Sequence, residues 1–342
     1  LTKTRKIFDM KFDVIIATYN RKKSLDILVK QILDCNILPE NIIIVDSSNE
    51  ENLEIQEINL VQYIYTTHGN QPYQRYLGYL EAKEDILIYF DDDMRVIDNS
   101  CFEKMLTIYE NDEIVGVQPN FTYGHEFFDQ EMPKSKVRQL AKKNILFKYL
   151  KTLSGHPSIP NGKFYLSGLR GSKPENKSSM EWFNGPVFSA RKKNLYNNFN
   201  FNLFDLYTNK MGKAEDAILG FTLSKEGSII YLDEELFFHD DQGDSTYSVD
   251  FVSYGKRVAY SRLYLSFEFA RLSKTKPIVA FLHYNLYIFG RIMSMLINQL
   301  LGIKKSRFQI IYGYLQGYFH ALVDVRRLFI FKKNNKKGVK EC

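Results

Sequence analysis

Short runs of continuous apolar residues recur through the first third of the chain, and three of them end in polar or acidic side chains. FDVIIATY (12–19) leads into Asn20 and Arg21, IIIVD (42–46) into Ser47 and Ser48, and ILIYF (86–90) into Asp91-Asp92-Asp93; IVGVQPNF (114–121) is a fourth run. Amphipathic stretches separate them, including Ser24-Leu25-Ile27-Leu28-Gln31-Ile32 and residues 74–82. Strands apolar on both faces, alternating with amphipathic helices, specify βαβ units and an α/β fold built on a mostly parallel sheet. Ligands of such open sheets collect at the carboxyl ends of the strands. Here those ends are 18–20, 46–48 and 91–93, so one cleft edge is expected.

Later segments change character. Residues 123–180 are rich in Lys, Gly, Pro and Ser and read as a long insertion or loop. Regular patterns return at 181–192, at 214–226 (a helix expected to close at Gly227) and at 229–238, a strand running into His239. Residues 278–301 are apolar but interrupted by His283, Asn285, Arg291 and Asn298, so a membrane-spanning helix is not expected. From Ile303 to Cys342 there are ten Lys/Arg and two acids, which accounts for more than the whole net charge of +6. Basicity confined to the tail argues against a nucleic-acid-binding protein and for amphipathic helices lying on an anionic membrane surface; the competing reading is a helical subdomain whose apolar faces bury against the α/β core, with a solvated basic tail. The three cysteines, Cys35, Cys101 and Cys342, form no metal-binding or disulfide spacing, so a reducing cytoplasmic compartment is expected. No signal-peptide pattern occurs in LTKTRKIFDMKFDV.

Three adjacent carboxylates repel one another, and a fold tolerates them at a solvated turn or around a cation. Hard divalent ions take one or two carboxylates together with substrate phosphates, so Asp91-Asp92-Asp93 is a candidate metal site. The competing reading is an acidic turn capping the helix that begins near Asn99 or Ser100. Glu215-Asp216, at the start of a helix, is likewise either a capping pair or a source of a catalytic carboxylate.

With those segments in order, VIIATYNR (14–21), IIVDSS (43–48), ILIYFDDD (86–93), NGPVFSARK (184–192), AEDAILGFTLSKEG (214–227) and FFHDD (237–241), the chain resembles family 2 glycosyltransferases over roughly residues 11–245. The resemblance implies a GT-A, Rossmann-like α/β fold with flanking helices. Residues 11–122 would bind a nucleotide sugar, 123–180 would be the insertion, and 181–245 would supply the acceptor and catalytic half. Residues 246–342 would form a helical, membrane-associating region. It also implies roles: Thr18, Asn20, Arg21 and Asp46 at the base and ribose, Arg75 at the diphosphate, and Asp91 and Asp92 at the nucleotide sugar. A divalent metal, Mn²⁺ or Mg²⁺, would be held by Asp93 with Asp91 and His239. Asp216 would be the catalytic base with Glu215 its neighbour, and Trp182, Asn184, Gly185 and Pro186 would wall the sugar site. The expected activity is inverting transfer from a nucleotide-diphosphate sugar, UDP foremost, to a saccharide or lipid-linked saccharide in surface-polysaccharide synthesis, at the cytoplasmic face of the plasma membrane.

Two rival readings fit less of the sequence. A nucleotidyltransferase would normally carry a glycine-rich basic loop after the first strand, which ATYNRKKS lacks. A non-catalytic membrane- or RNA-binding protein would use the tail and leave Asp91-Asp92-Asp93 and Glu215-Asp216 unexplained.

Overall fold

The computed structural model describes residues 10–123, 159–165, 167–240, 250–300 and 307–330. β1 (Phe12–Thr18) is buried along its whole length, as a strand sandwiched between helical layers requires. α1 (Lys22–Leu33) turns Leu25, Leu28, Val29 and Ile32 onto one face of the sheet. β2 (Asn41–Asp46) and β3 (Val61–Tyr65) follow, then α2 (Gln71–Glu81) on the opposite face. Asn70 caps α2 by accepting the amide of Tyr73, and Pro72 occupies the first turn, where no amide donor is needed. Gly78 lets α2 lie close against β1, since a Cβ there would stand 2.5 Å from Ile15. β4 (Ile86–Asp91), β5 (Met94–Val96), α3 (Cys101–Ile108) and β6 (Ile114–Tyr123) complete the first half.

The second half contributes β7 (Ser179–Met180), β8 (Val187–Arg191), α4 (Lys192–Leu195), α5 (Phe201–Thr208), α6 (Glu215–Leu223) and β9 (Ser228–His239). The nine strands among the described residues form one sheet in the order β3-β2-β1-β4-β8-β6-β9-β5, with β7 on β9. The expectation of a mostly parallel sheet holds only for part of it. The β3-β2-β1-β4 and β6/β9 ladders are parallel, whereas β4/β8, β8/β6, β5/β9 and β7/β9 are antiparallel, so the sheet is mixed. Just before β8, the Pro186 carbonyl accepts the amide of Asp91 (2.8 Å). β8 thus starts beside the carboxyl end of β4 and runs back down it.

The 214–226 helix is shorter than expected. It ends at Leu223, and Gly227 serves the turn into β9, where a Cβ would come within 2.4 Å of Val115. Of the 123–180 insertion, residues 124–158 and Leu166 lie outside the described residues; the remainder includes a Phe164–Arg170 bridge and β7. Cys35 and Cys101, 66 positions apart, bring their Sγ atoms to 3.9 Å in the core, a proximity the spacing conceals.

After β9 come α7 (Phe251–Leu272), α8 (Pro277–Leu300) and α9 (Arg307–Ile330). α7 shares a core with α5, α6, α8 and α9, so part of the apolar surface of this region is buried internally. A seam of glycines brings the α7 and α9 backbones together: a Cβ on Gly255, Gly313 or Gly317 would meet a main-chain oxygen of the other helix within 2.5 Å. Among the described residues, no helix is long and apolar enough to cross a membrane. The basic tail beyond Ile330 lies outside the described residues.

Candidate active site

Strand register levels the candidate residues. Thr18 pairs with Asp46 across β1 and β2, and Ala17 with Asp91 across β1 and β4. Asn20 follows with φ 54°, a left-handed conformation that asparagine tolerates better than most residues. Its amide donates to Ser48 Oγ (2.7 Å), and its side chain accepts the amide of Asn49 (3.0 Å), joining the loops after β1 and β2. Asp46 accepts the Ser48 amide (2.7 Å) and the Tyr63 hydroxyl (2.6 Å). Gln74, buried on α2, donates to the carbonyls of Thr18 and Val45, both at 2.8 Å, and locks the helix onto these strand ends.

Asp91-Asp92-Asp93 does not cap α3, whose N-cap is Ser100; the nearby Asp98 accepts the Ser100 amide at 2.8 Å. The three carboxylates instead diverge. Asp92 accepts from Thr18 Oγ1 (2.7 Å) and, with Asp93, from Arg21. Burial opposes charge on Arg21, but Asp92 and Asp93 outweigh it and raise the guanidinium pKa. Asp91 turns to Gln71 Nε2 (2.6 Å) and Arg75 Nη2 (2.7 Å). Its burial pushes the carboxyl well above the usual carboxylate range; Arg75 pulls the other way, and Asp93, Asp92 and Glu215 add to the rise.

Arg75 is not poised in open space for a diphosphate. It is 4% exposed and bridges the two halves of the chain. Nη2 also donates to Gly185 O (2.7 Å), and Nη1 donates to Glu215 Oε1 (2.6 Å). Two loops and a helix converge on one planar fork, a geometry that guanidinium supplies and ammonium does not. Glu215 takes a second hydrogen bond from the Tyr207 hydroxyl, so it is a structural member of this network and not a helix cap. Burial, then Asp216, raises its pKa against the pull of Arg75.

Asp216 follows directly and is differently placed. Ala214, with φ 63°, holds a left-handed turn that costs an alanine about 1–2 kcal/mol and launches α6. Gly185 borders Asp216: a Cβ there would stand 3.6 Å from Asp216 Oδ2, an ordinary contact. The ion pair of Asp216 with Arg170, at 3.8 Å, is beyond hydrogen-bond distance. Asp216 is 8% exposed and is the carboxylate of this group least committed to internal bonds.

His239 arrives beside Asp93 because β9 pairs antiparallel with β5, setting His239 opposite Met94. His239 Nε2 lies 3.3 Å from Asp93 Oδ1, and that buried oxygen receives no hydrogen bond. No group of three potential metal ligands occurs among the described residues. Asp93 and His239 together fit a divalent ion only as a partial set, with ligand oxygens making up the rest. Around the site Asp91, Asp92, Asp93, Glu215 and Asp216 are paired with Arg21, Arg75 and Arg170.

The wall residues divide. Asn184 donates its amide to Gln118 Oε1 (2.6 Å), and Gly185 and Pro186 border Asp216 and Asp91. Trp182 does not present a stacking face: its ring is buried in the core and covered by Arg170, 5.0 Å from the ring centre. Gln71, Arg170 and Tyr207 were not legible as site residues, since each is an ordinary polar residue within a helix or loop. Only the tertiary fold brings them to Asp91, Asp216 and Glu215. A cleft of about 670 Å³ between α5, α6 and α7 contains none of the candidate residues.

Residues 13–171 match the sequence model of the family described as Glycosyl transferase family 2. No curated protein sequence matches the chain. Among solved structures the chain is similar to S. aureus TarS 1-349 (TM-score 0.46, 13% identity, covering 93% of this chain and 92% of that one). It is also similar to the mannosyltransferase PcManGT from Pyrobaculum calidifontis in complex with GDP-Man and Mn2+ (TM-score 0.48, 10% identity, covering 93% and 89%). A third is S. aureus TarS 1-349 in complex with UDP-GlcNAc (TM-score 0.43, 13% identity, covering 93% and 92%).

Proposed function

We propose that this chain is a family 2 glycosyltransferase that moves a sugar from a nucleoside-diphosphate donor, UDP-linked foremost, to an acceptor hydroxyl with inversion. The observation that carries the reading is the Arg75 bridge from Asp91, after β4, to Glu215 at the head of α6. It ties the strand-end loops to the helix that bears a less committed carboxylate, Asp216. The family match over residues 13–171 supports the same reading from the sequence side.

In the mechanism, Thr18, Asn20, Arg21, Asp46 and Asp92 line the nucleotide side. Asp216 takes the proton of the acceptor hydroxyl while the oxygen attacks the anomeric carbon from the face opposite the diphosphate. The bond from that carbon to the diphosphate oxygen breaks, and its electron pair leaves with the nucleoside diphosphate. One displacement inverts the anomeric centre. Gly185 borders Asp216 on the acceptor side, and Arg75 holds Asp91 and Glu215 in place. A divalent cation, Mn²⁺ or Mg²⁺, held by Asp93 and His239 would offset the charge on the departing diphosphate. The acceptor is a saccharide or lipid-linked saccharide of surface-polysaccharide synthesis, met at the cytoplasmic face of an anionic membrane.

The test is Asp216→Asn. Donor affinity should be retained while kcat falls by at least ~10², the scale of a lost general base. Turnover at the wild-type rate, followed as nucleoside diphosphate release with acceptor present, would remove Asp216 from the role.

A further inference from the structure

Five large apolar residues of α8, namely Ile278, Leu282, Leu286, Phe289 and Met293, are exposed at steps of three and four. α9 repeats the pattern with Phe308, Tyr312, Leu315, Phe319 and Val323. Phe289 is 63% exposed, Phe319 62% and Val323 79%. Scattered apolar residues are normal on a surface, but two unbroken stripes are not.

The stripes lie on one side of the molecule. Tyr284 stacks on Tyr318 (5.8 Å between ring centres), Tyr318 donates to Asn285 Oδ1 (2.7 Å), and the Tyr287 and Tyr314 hydroxyls are 3.5 Å apart. Moving forward along α8 therefore moves backward along α9, and the helices are antiparallel. At about 100° per residue, the α8 stripe centres roughly 60° round from Asn285 and the α9 stripe roughly 100° round from Tyr318. In antiparallel neighbours those turns lead to the same side of the seam. The opposite side packs on α7, where Tyr284 donates to the Ala259 carbonyl and Gly255 meets Ile310 and Tyr314. The stripes thus point away from α7.

We propose that this paired outer face of α8 and α9 is a docking surface for an anionic lipid bilayer, lying in the interface and not crossing it. Charge selects the occupant. Lys274 and Lys276 precede α8, and Ile303–Cys342, the stretch containing α9, carries ten Lys/Arg against two acids. An apolar face with Lys274 and Lys276 just before it, in a chain whose following sequence is basic, matches the anionic headgroup boundary, where basic side chains meet phosphate and apolar ones meet acyl chains. Neither helix is apolar enough to span, which fits an in-plane position. Lipid docking requires no sugar transfer, so it stands or falls separately from the activity proposed above.

The test is co-sedimentation of the full chain with phosphatidylcholine vesicles, with and without phosphatidylglycerol. Binding is expected only with phosphatidylglycerol and weakens as salt rises. Phe289→Glu/Phe319→Glu should cut the bound fraction at least ~10-fold while leaving the circular dichroism and the melting temperature unchanged. Leu53→Glu, at a residue 68% exposed but outside the stripes, should bind like wild type. Equal binding to neutral vesicles, or undiminished binding of the double variant, would overturn the proposal. So would a wild-type dimer that the double variant splits while neither protein binds vesicles. Donor binding by the double variant, measured in parallel, reports on the transferase reading alone.

Discussion

A guanidinium buried as deeply as that of Arg75 stays charged because Asp91 and Glu215 face it on two sides; burial alone would lower its pKa, and the carboxylates raise it. The converse also holds, since those carboxylates would be buried without a counter-charge if Arg75 were lost. Arg75→Met should destabilise the fold by about 3–5 kcal/mol, the usual cost of stranding a buried charge partner. Urea unfolding of the variant measures it, and a loss under ~1 kcal/mol would show that the pair is solvated. The sequence signalled that the strand-end residues Thr18, Asn20, Asp46 and Asp91-Asp92-Asp93 belong together, because their positions follow from the apolar runs before them. It could not signal that Arg75 points inward to Glu215, 140 positions away. Trp182 misled for a related reason: a lone aromatic near a loop carries no mark of which way it faces until its strand neighbours are known.

At the level of elements, continuous apolar runs were read correctly as strands, because a two-faced burial leaves little choice of residue. Strand direction was not readable. β8 has the composition of a parallel strand, yet it pairs antiparallel with both β4 and β6. The end of α6 was misplaced because Gly227 stood where a helix-stopping glycine would, while its actual work is close passage past Val115.

α3 offers a pH-dependent test. Asp98 accepts from Lys104 Nζ (2.7 Å) and Ser100, and these bonds, Lys104 first, hold its carboxyl at about 2. The unfolded carboxyl titrates near ~3.9. The stabilisation is therefore complete above about pH 4 and disappears as the pH falls through 2. Calorimetry of Asp98→Asn should show a lowered melting temperature at neutral pH and convergence with wild type in strong acid. A difference independent of pH would contradict the ion pair. At the α7–α9 seam, Gly317→Val must push apart backbones that leave no room for a Cβ. We expect about 1–3 kcal/mol of destabilisation and earlier proteolytic cutting within α9, and an unaltered digestion pattern would argue against the close packing.

For the whole molecule, ligand binding is the readout that integrates the site. A donor present at about 100 times its Kd stabilises the native state by ~2.7 kcal/mol. Melting curves with UDP-, dTDP- and GDP-sugars, each with and without Mn²⁺, should show one nucleotide raising the transition, more so with metal. Asp93→Ala should abolish the increment due to Mn²⁺ and spare much of the rest. An Mn²⁺ increment undiminished in that variant would exclude Asp93 as a ligand.

The Arg75 bridge also bears on how such a chain can be recombined. Arg75 and Asp91 are contributed by the first part of the sequence, whereas Glu215 and the Gly185 carbonyl come from the second. A hybrid that spliced the first part onto the second part of a distant homologue would look seamless at the loops. It would nevertheless fail in its interior unless the imported portion supplied an acid and a free carbonyl at those two places. The grain of the molecule, along which it can be cut and rejoined, therefore does not follow a simple division of the sequence into an earlier and a later part.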